Sequence, residues 1–193
     1  MQIIDLFSTP IASVYHPNHS KIKESLIQHC LNLKSTTPSG GSNWISKSLY
    51  NTFNTHNILK DNTFEDLNNW VYDQATDFKN KLGQDKKLIP NGGWFNIYTK
   101  NDSQEYHNHN FDYISAIYYL KSKPSDARTH FKSPLADNPN DPSFKVDNKY
   151  TWVNYFIYPE EGKLILFRSS MEHCVETHTT DDLRITVAYN YGI

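Results

Sequence analysis

The first 90 residues carry a helical rhythm that the rest of the chain lacks. Apolar residues at Ile22, Leu26, Ile27, Cys30, Leu31 and Leu33 recur three and four apart, with Lys21, Lys23 and Glu24 between them. That spacing lays one stripe along one side of a helix, with Ser20 placed to cap its start. Pro38-Ser-Gly-Gly41 then predicts a loop. A second stripe runs through Leu67, Trp70, Val71, Ala75, Phe78 and Leu82. Ahead of it, Thr63-Phe-Glu-Asp66 has the form of a capping box, with Asp where Glu is usual, and Gly83 marks a stop.

Beyond residue 90 the texture changes. Trp94–Tyr98, Tyr113–Leu120, Tyr150–Tyr158, Gly162–Phe167 and Leu183–Tyr191 are short, aromatic and β-branched, and Gly, Pro, Asn and Asp separate them. Strands punctuated in this way predict a sandwich or barrel. Residues 121–149 hold Pro124, Pro134, Pro139, Pro142 and Asp137-Asn-Pro-Asn-Asp141. They predict a long loop with a short strand at Thr129–Lys132, and loops of that length often serve as lids or binding loops. The expected organisation is a single domain over residues 1–193. A helical lead-in runs to residue 90, and a β core over 91–193 carries the 121–149 loop.

Composition narrows the class. A chain of 193 residues can bury a core without staples. With 13 Tyr, 10 Phe and 4 Trp it is too aromatic for a disordered chain. The longest apolar runs, Ile114–Leu120 and Leu164–Phe167, are far shorter than a membrane span. A total of 19 Lys and Arg against 21 Asp and Glu leaves a net charge of −2, which argues against a nucleic-acid partner. Cys30 and Cys174 fit neither a disulfide framework nor a zinc spacing, and Met1-Gln-Ile-Ile-Asp5 lacks a basic leader. The expected setting is a reducing cytoplasm, away from the membrane.

Three histidines stand out among nine. In His107-Asn-His109 the two rings are two residues apart, so in a strand they share a face and can converge on one ion. His173, after the strand Leu164–Phe167 and the Arg168-Ser-Ser170 turn, is the best third ligand. Imidazole suits iron, zinc, copper and nickel alike, so the ligand type does not choose the metal. His16, His19, His29 and His56 have no partner at ligand spacing and predict surface or helix-side roles, as does His130 in the long loop. Asn96-Ile-Tyr98 precedes His107, and Arg184-Ile-Thr186 opens the last strand. A guanidinium offers a forked partner for a carboxylate, and nearby hydroxyls can complete its hydrogen bonds. A salt bridge is the structural alternative for Arg184, as core packing is for Tyr98, Tyr119, Trp94 and Phe95. Cys174 reads as a small buried filler.

In order and spacing these pieces resemble the Fe(II)- and 2-oxoglutarate-dependent oxygenases, the prolyl-hydroxylase-like branch in particular. Within that branch they resemble a group from marine bacteria and their phages. Phe7-Ser-Thr-Pro-Ile11 is similar to that group's opening strand, and Gly41-Ser-Asn-Trp44 through the second helix to its helical lead-in. Gly93-Trp-Phe-Asn96, His107-Asn-His109 with Ile114–Leu120, Pro159–Phe167 with His173, and Arg184–Asn190 follow in the family's order. The resemblance implies an α+β, mainly β fold: a double-stranded β-helix, or cupin-like jelly roll, with two N-terminal helices packed on one sheet. It implies Fe(II) held by His107, His109 and His173. It also implies 2-oxoglutarate bound through its far carboxylate by Arg184, with Tyr98, Tyr119, Thr186 and Asn96 in the same pocket. The superfamily usually carries Asp or Glu where this chain has His109. Asp112 is the alternative carboxylate ligand, and the same-face spacing of alternate strand residues favours His109.

The expected activity is hydroxylation of a small molecule or peptide by O2, releasing succinate and CO2. Halogenation ranks below it, because His109 can still coordinate. A three-histidine cupin-type dioxygenase without 2-oxoglutarate would instead use Arg184 to hold a substrate carboxylate. A non-catalytic jelly-roll binding module would use the 121–149 loop as its contact surface.

Overall fold

A computed structural model of the chain describes residues 1–40, 44–134 and 148–193. Among the described residues, ten strands form two antiparallel sheets. The major sheet has the order β1 (Ala12–Tyr15), β8 (Lys163–Arg168), β5 (Ile114–Lys121), β10 (Arg184–Gly192), β3 (Ile89–Tyr98) and β2 (Tyr50–Asn51). The minor sheet has the order β4 (Gln104–His107), β9 (His173–Val175), β6 (Thr129–Lys132) and β7 (Asn154–Ile157).

Both helices form where the periodicity places them. α1 spans His19–Thr36 and buries Leu26, Ile27 and Cys30; α2 spans Glu65–Lys81 and buries Leu67, Val71, Ala75 and Phe78. Their starts differ from expectation. Ser20 lies inside α1, and Asn18 precedes the helix without a side-chain cap. Thr63 belongs to a 3-10 turn, Asn62–Phe64, whose capping side chain is Asp61, accepting from the Thr63 amide. Gly83 takes φ +79° just past α2, a left-handed conformation that a side chain would strain.

Alternation along the central strands decides what each face of the major sheet does. Phe95, Ile97, Ile114, Ala116, Tyr118, Leu120, Leu164, Leu166, Ile185 and Val187 point to the helices and build the main core with them. The intervening residues point to the minor sheet. Toward the β8 side they are apolar: Tyr119, Ile165 and Phe167 pack with Phe131 and Met171. Toward β10 and β3 they are polar: Asn96, Ser115, Thr186 and Asn190 are all buried. A sheet that buries a polar inner face must satisfy it with partners or a ligand.

Several strands lie elsewhere than the sequence suggested. The opening strand is Ala12–Tyr15, not Phe7–Ile11, and Phe7 is exposed with φ 57°. It and β2 carry the lead-in region into the major sheet. Of the segment Tyr150–Tyr158 only Asn154–Ile157 is strand. The strand expected to carry His107 and His109 is Gln104–His107 and stops short of His109, and β9 was not foreseen. Thr129–Lys132 is a strand as expected, while residues 135–147 of the 121–149 loop lie outside the described residues. No helix among the described residues is long and apolar enough to cross a membrane.

Candidate metal centre

β4 and β9 pair antiparallel with His107 directly opposite His173. Their ring centres are 4.2 Å apart. His109 lies past the end of β4, so the same-face argument does not place it. It is fixed by its own backbone: its amide donates to the Ser169 carbonyl at 2.8 Å, and its carbonyl accepts from the Asp112 amide at 2.9 Å. The loop delivers its ring to 5.2 Å from His107 and 5.4 Å from His173. One ligand atom from each of the three lies within 4.8 Å of the others. Asp112 does not join them; its Oδ1 accepts from Asn91 Nδ2 at 2.8 Å.

The tautomers suit metal binding. Nδ1 of His107 hydrogen-bonds the Glu105 carbonyl at 2.8 Å, and Nδ1 of His173 hydrogen-bonds the Met171 carbonyl at 2.9 Å. Only a protonated Nδ1 can donate there, which leaves Nε2 with its lone pair free in the neutral ring. Burial lowers the pKa of all three. His109 falls to about 4, by burial and then the charge of His107. His173 falls to about 3, chiefly by burial, with His107 and His109 adding to it and the bond to Met171 opposing it. His107 is lowered by burial, against the bond to Glu105. Three neutral imidazoles with ligand atoms within 4.8 Å of one another are a donor set that suits a divalent transition metal.

A second feature lies on the inner face of the major sheet. Thr186 of β10 sits opposite Asn96 of β3 on one side and Tyr119 of β5 on the other, and Arg184 sits opposite Tyr98. Register alone therefore gathers five residues that are up to 90 positions apart in sequence. Arg184 is 0% exposed, and none of its three guanidinium nitrogens has a hydrogen-bond partner. No carboxylate among the described residues pairs with it, so the salt-bridge alternative is not realised. Its carbon lies 4.5 Å from the Tyr98 ring centre and 5.5 Å from that of Tyr119. A fully buried, unpaired cation is costly unless an anion meets it. Burial raises both tyrosine hydroxyls, and the Arg184 charge opposes it, so both remain neutral donors. Tyr98 donates to Gln104 Oε1, and the Tyr119 hydroxyl pairs with Thr129 Oγ1 at 2.8 Å.

Arg184, Tyr98, Thr186, Asn96 and all three histidines line one cavity between the sheets. Tyr119 is not among the lining residues; it packs in the apolar cluster with Phe131 and Phe167. Sequence reasoning missed Gln104, which lines the cavity and receives Tyr98. It also missed Trp44, whose ring is 4.7 Å from His107, and the Ser115 hydroxyl, which donates to Asn190 Oδ1 at 2.7 Å. Trp94 is buried and borders the same cavity, whereas Phe95 is core. Cys30 and Cys174 are both free, Cys30 buried and Cys174 half-buried.

The family model described as "Putative 2OG-Fe(II) oxygenase" matches residues 92–190, just over half of the 193-residue chain. The chain belongs to the 2OG-Fe(II) oxygenase family. Iron and 2-oxoglutarate are this family's metal and cosubstrate, and of the enzyme classes open from the sequence it is the one that needs both. Solved oxygenase structures share the fold. A prolyl-4-hydroxylase from Pseudomonas putida superposes with a TM-score of 0.68 at 11% identity, over 96% of this chain and 94% of that one. HygX from Streptomyces hygroscopicus, with nickel, 2-oxoglutarate and hygromycin B bound, gives 0.63 at 14% identity over 95% and 83%. The epimerase SnoN, in complex with Fe3+, alpha ketoglutarate and nogalamycin RO, gives 0.67 at 13% identity over 95% and 79%. No curated protein sequence matches the chain. The oxygenase described here fits the family's requirements in two places: a converging donor set for the metal and a buried cation without a counter-ion for the cosubstrate.

Proposed function

We propose that this oxygenase hydroxylates a small molecule or peptide, with His107, His109 and His173 as the iron ligands and Arg184 receiving the far carboxylate of 2-oxoglutarate. The observation that carries the reading is Arg184. It is wholly buried, has no hydrogen-bond partner at any nitrogen among the described residues, and borders the same cavity as the three imidazoles. The facing sheets, with the ligand pair on one and the cation on the other, suit the double-stranded β-helix of this family.

Iron(II) with 2-oxoglutarate supplies O2-driven decarboxylation coupled to oxidation of a substrate C–H bond. The chain's own residues hold and shield that chemistry. The guanidinium fork and the hydroxyls of Tyr98 and Thr186 would orient the dicarboxylate by its far end. The Glu105 and Met171 carbonyls hold two imidazoles in their ligating tautomer. Ile117, Phe167 and Val175 give the cavity apolar lining, with the cluster of Phe131 and Ile165 packed beside Phe167. Three neutral imidazoles would add no negative charge to the iron, so the near carboxylate of the cosubstrate would be the anionic donor there, while Arg184 would balance the far one. The small-molecule or peptide class is supported by the near-neutral net charge and by the relatives, one a prolyl-4-hydroxylase and one holding hygromycin B.

Calorimetric titration of 2-oxoglutarate into the Mn(II)-loaded protein under anaerobic conditions tests this. Losing one partner of a buried charge pair costs about 2–5 kcal/mol, a drop of roughly 30- to several-thousand-fold in affinity for Arg184→Ala. Unchanged affinity would detach Arg184 from the cosubstrate and leave it to a substrate carboxylate.

A further inference from the structure

Outside the three histidines, and continuous with them, lies a mouth of about 590 Å3. Its walls are aromatic. Trp44 stands edge-on to His107, Trp94 lies 5.9 Å from His109, and Phe53 meets Trp94 at 5.0 Å. Phe53 is exposed, so the mouth opens to solvent there. Apart from the metal-facing histidines, Glu105 is the one ionisable side chain among its described lining residues. A bulge between Gln104 and His107 inserts one extra residue into β4 opposite β9, which lets Gln104 and Glu105 both line the mouth.

Glu105 is half used. Its Oε1 accepts from the Ile45 amide at 2.7 Å, while its Oε2 is buried and has no hydrogen-bond partner. Two amide atoms nearby are in the same condition, Asn51 Nδ2 and Asn96 Oδ1. Buried polar atoms in a native protein are ordinarily satisfied, so the two acceptors around this opening without a partner among the described residues, Glu105 Oε2 and Asn96 Oδ1, mark a place where a donor docks, whereas Asn51 Nδ2 is itself a donor and calls for an acceptor.

We infer that this mouth takes the protonated amine of the substrate, with Glu105 as the residue that selects it. Rest it does on the proposed function, since the mouth is a substrate site only if the metal is below it. The chemistry discriminates among substrates. An anionic group would meet a carboxylate and no Lys or Arg. A purely apolar group would leave the acceptors Glu105 Oε2 and Asn96 Oδ1 unmet. An organic ammonium satisfies Glu105 by a charge-assisted hydrogen bond, presents its remaining N–H to Asn96 Oδ1, and is attracted by indole and benzyl faces.

The test is a matched pair of probes, cyclohexylamine and cyclohexanol, which share a frame and differ in charge. Each is titrated at neutral pH into the Mn(II)- and 2-oxoglutarate-loaded protein without O2, followed by calorimetry and by tryptophan fluorescence. The amine should bind at least about tenfold more tightly than the alcohol, the low end of what a hydrogen bond to a charged group supplies. Glu105→Gln should remove that preference and leave the alcohol unchanged. Phe53→Leu, at an exposed position, should weaken the amine alone. Equal affinities for the pair, absence of binding by both, or a preference that survives Glu105→Gln would each overturn the inference. If Glu105→Gln does not fold, the wild-type pair and Phe53→Leu still decide it. The 2-oxoglutarate titration on the same samples separates the two ideas. Tight cosubstrate binding without an amine preference removes only the amine, whereas absent cosubstrate binding removes the proposed function.

Discussion

Arg184 and Tyr98 face each other across the β3–β10 ladder, with the guanidinium carbon 4.5 Å from the centre of the phenol ring. The ring eases the charge, and no well-aligned hydrogen bond among the described residues reaches any of the three guanidinium nitrogens. Removing that charge should therefore stabilise the ligand-free protein. Arg184→Met should melt above wild type without cosubstrate and gain nothing when 2-oxoglutarate is added, while wild type gains with its concentration. Scanning calorimetry checks this. A lower melting point for Arg184→Met in ligand-free buffer would mean that the guanidinium is already satisfied.

Arg184→Lys should recover only part of the cosubstrate affinity lost in Arg184→Ala, because an ammonium lacks the planar fork. Thr186→Val, which deletes one hydroxyl between Asn96 and Tyr119, should weaken 2-oxoglutarate mildly, by about three- to tenfold. Full recovery by Lys would show that charge alone, without geometry, holds the ligand.

His107→Ala and His173→Ala should each reduce Mn(II) or Fe(II) binding by more than about a hundredfold, beyond what residues that merely orient a ligand cost. The fold should persist, since the main core lies on the other face of the major sheet. Metal content after dialysis, read beside circular dichroism, decides it, and near-normal metal in either folded variant would remove the metal centre.

His109→Ala should weaken metal binding strongly and Asp112→Ala only slightly, because Asp112 is engaged with Asn91 and stands outside the cluster. The reverse order of effects would make Asp112 the ligand and His109 its neighbour.

Asp61 ties α1 to the loop before α2: His29 and His56 both reach its Oδ2, at 2.7 and 2.8 Å. Burial opposes its ionisation, but the bonds from His29, Thr63 and His56 prevail and hold its pKa at about 2, below the ordinary 3.8. The unfolded chain therefore binds the proton first as the pH falls. The stabilisation is complete above the ordinary carboxylate value and is lost as the pH drops through about 2. Denaturant midpoints measured down the acid limb should fall less steeply in Asp61→Asn than in wild type. Parallel slopes would mean that the clamp contributes nothing.

The helices and the central strands were legible because they are long enough for period to show. Leu67 to Phe78 repeats at helical spacing, and Ile114 to Leu120 alternates between two faces. β4 and β9, four and three residues long, carry too little pattern, and the bulge in β4 breaks what there is. His107 and His109 were paired correctly in space for a reason that holds only in part, since a loop bond to Ser169, not strand alternation, places His109. Ser20 misled because a capping residue type does not by itself fix where a helix begins. His29 and His56 looked isolated in sequence; Asp61 unites them only after α1 folds back on the following loop. Arg184 was readable because a lone cation in an apolar strand demands an anion. Trp44 and Glu105 were not, since only tertiary structure brings them to the mouth.

β10 lies between β3 and β5, though it follows both in the chain, beginning 63 positions after the end of the nearer one. Until it arrives, those two strands have no neighbour in common, and the major sheet is two separate ribbons with open edges. Such distant pairings form slowly, because a long loop must close first. The same strand carries Arg184 and Thr186. With Arg184 in its proposed role, sheet closure and cosubstrate recognition become one event during folding, and a nascent chain that has not yet inserted β10 would not charge itself with 2-oxoglutarate.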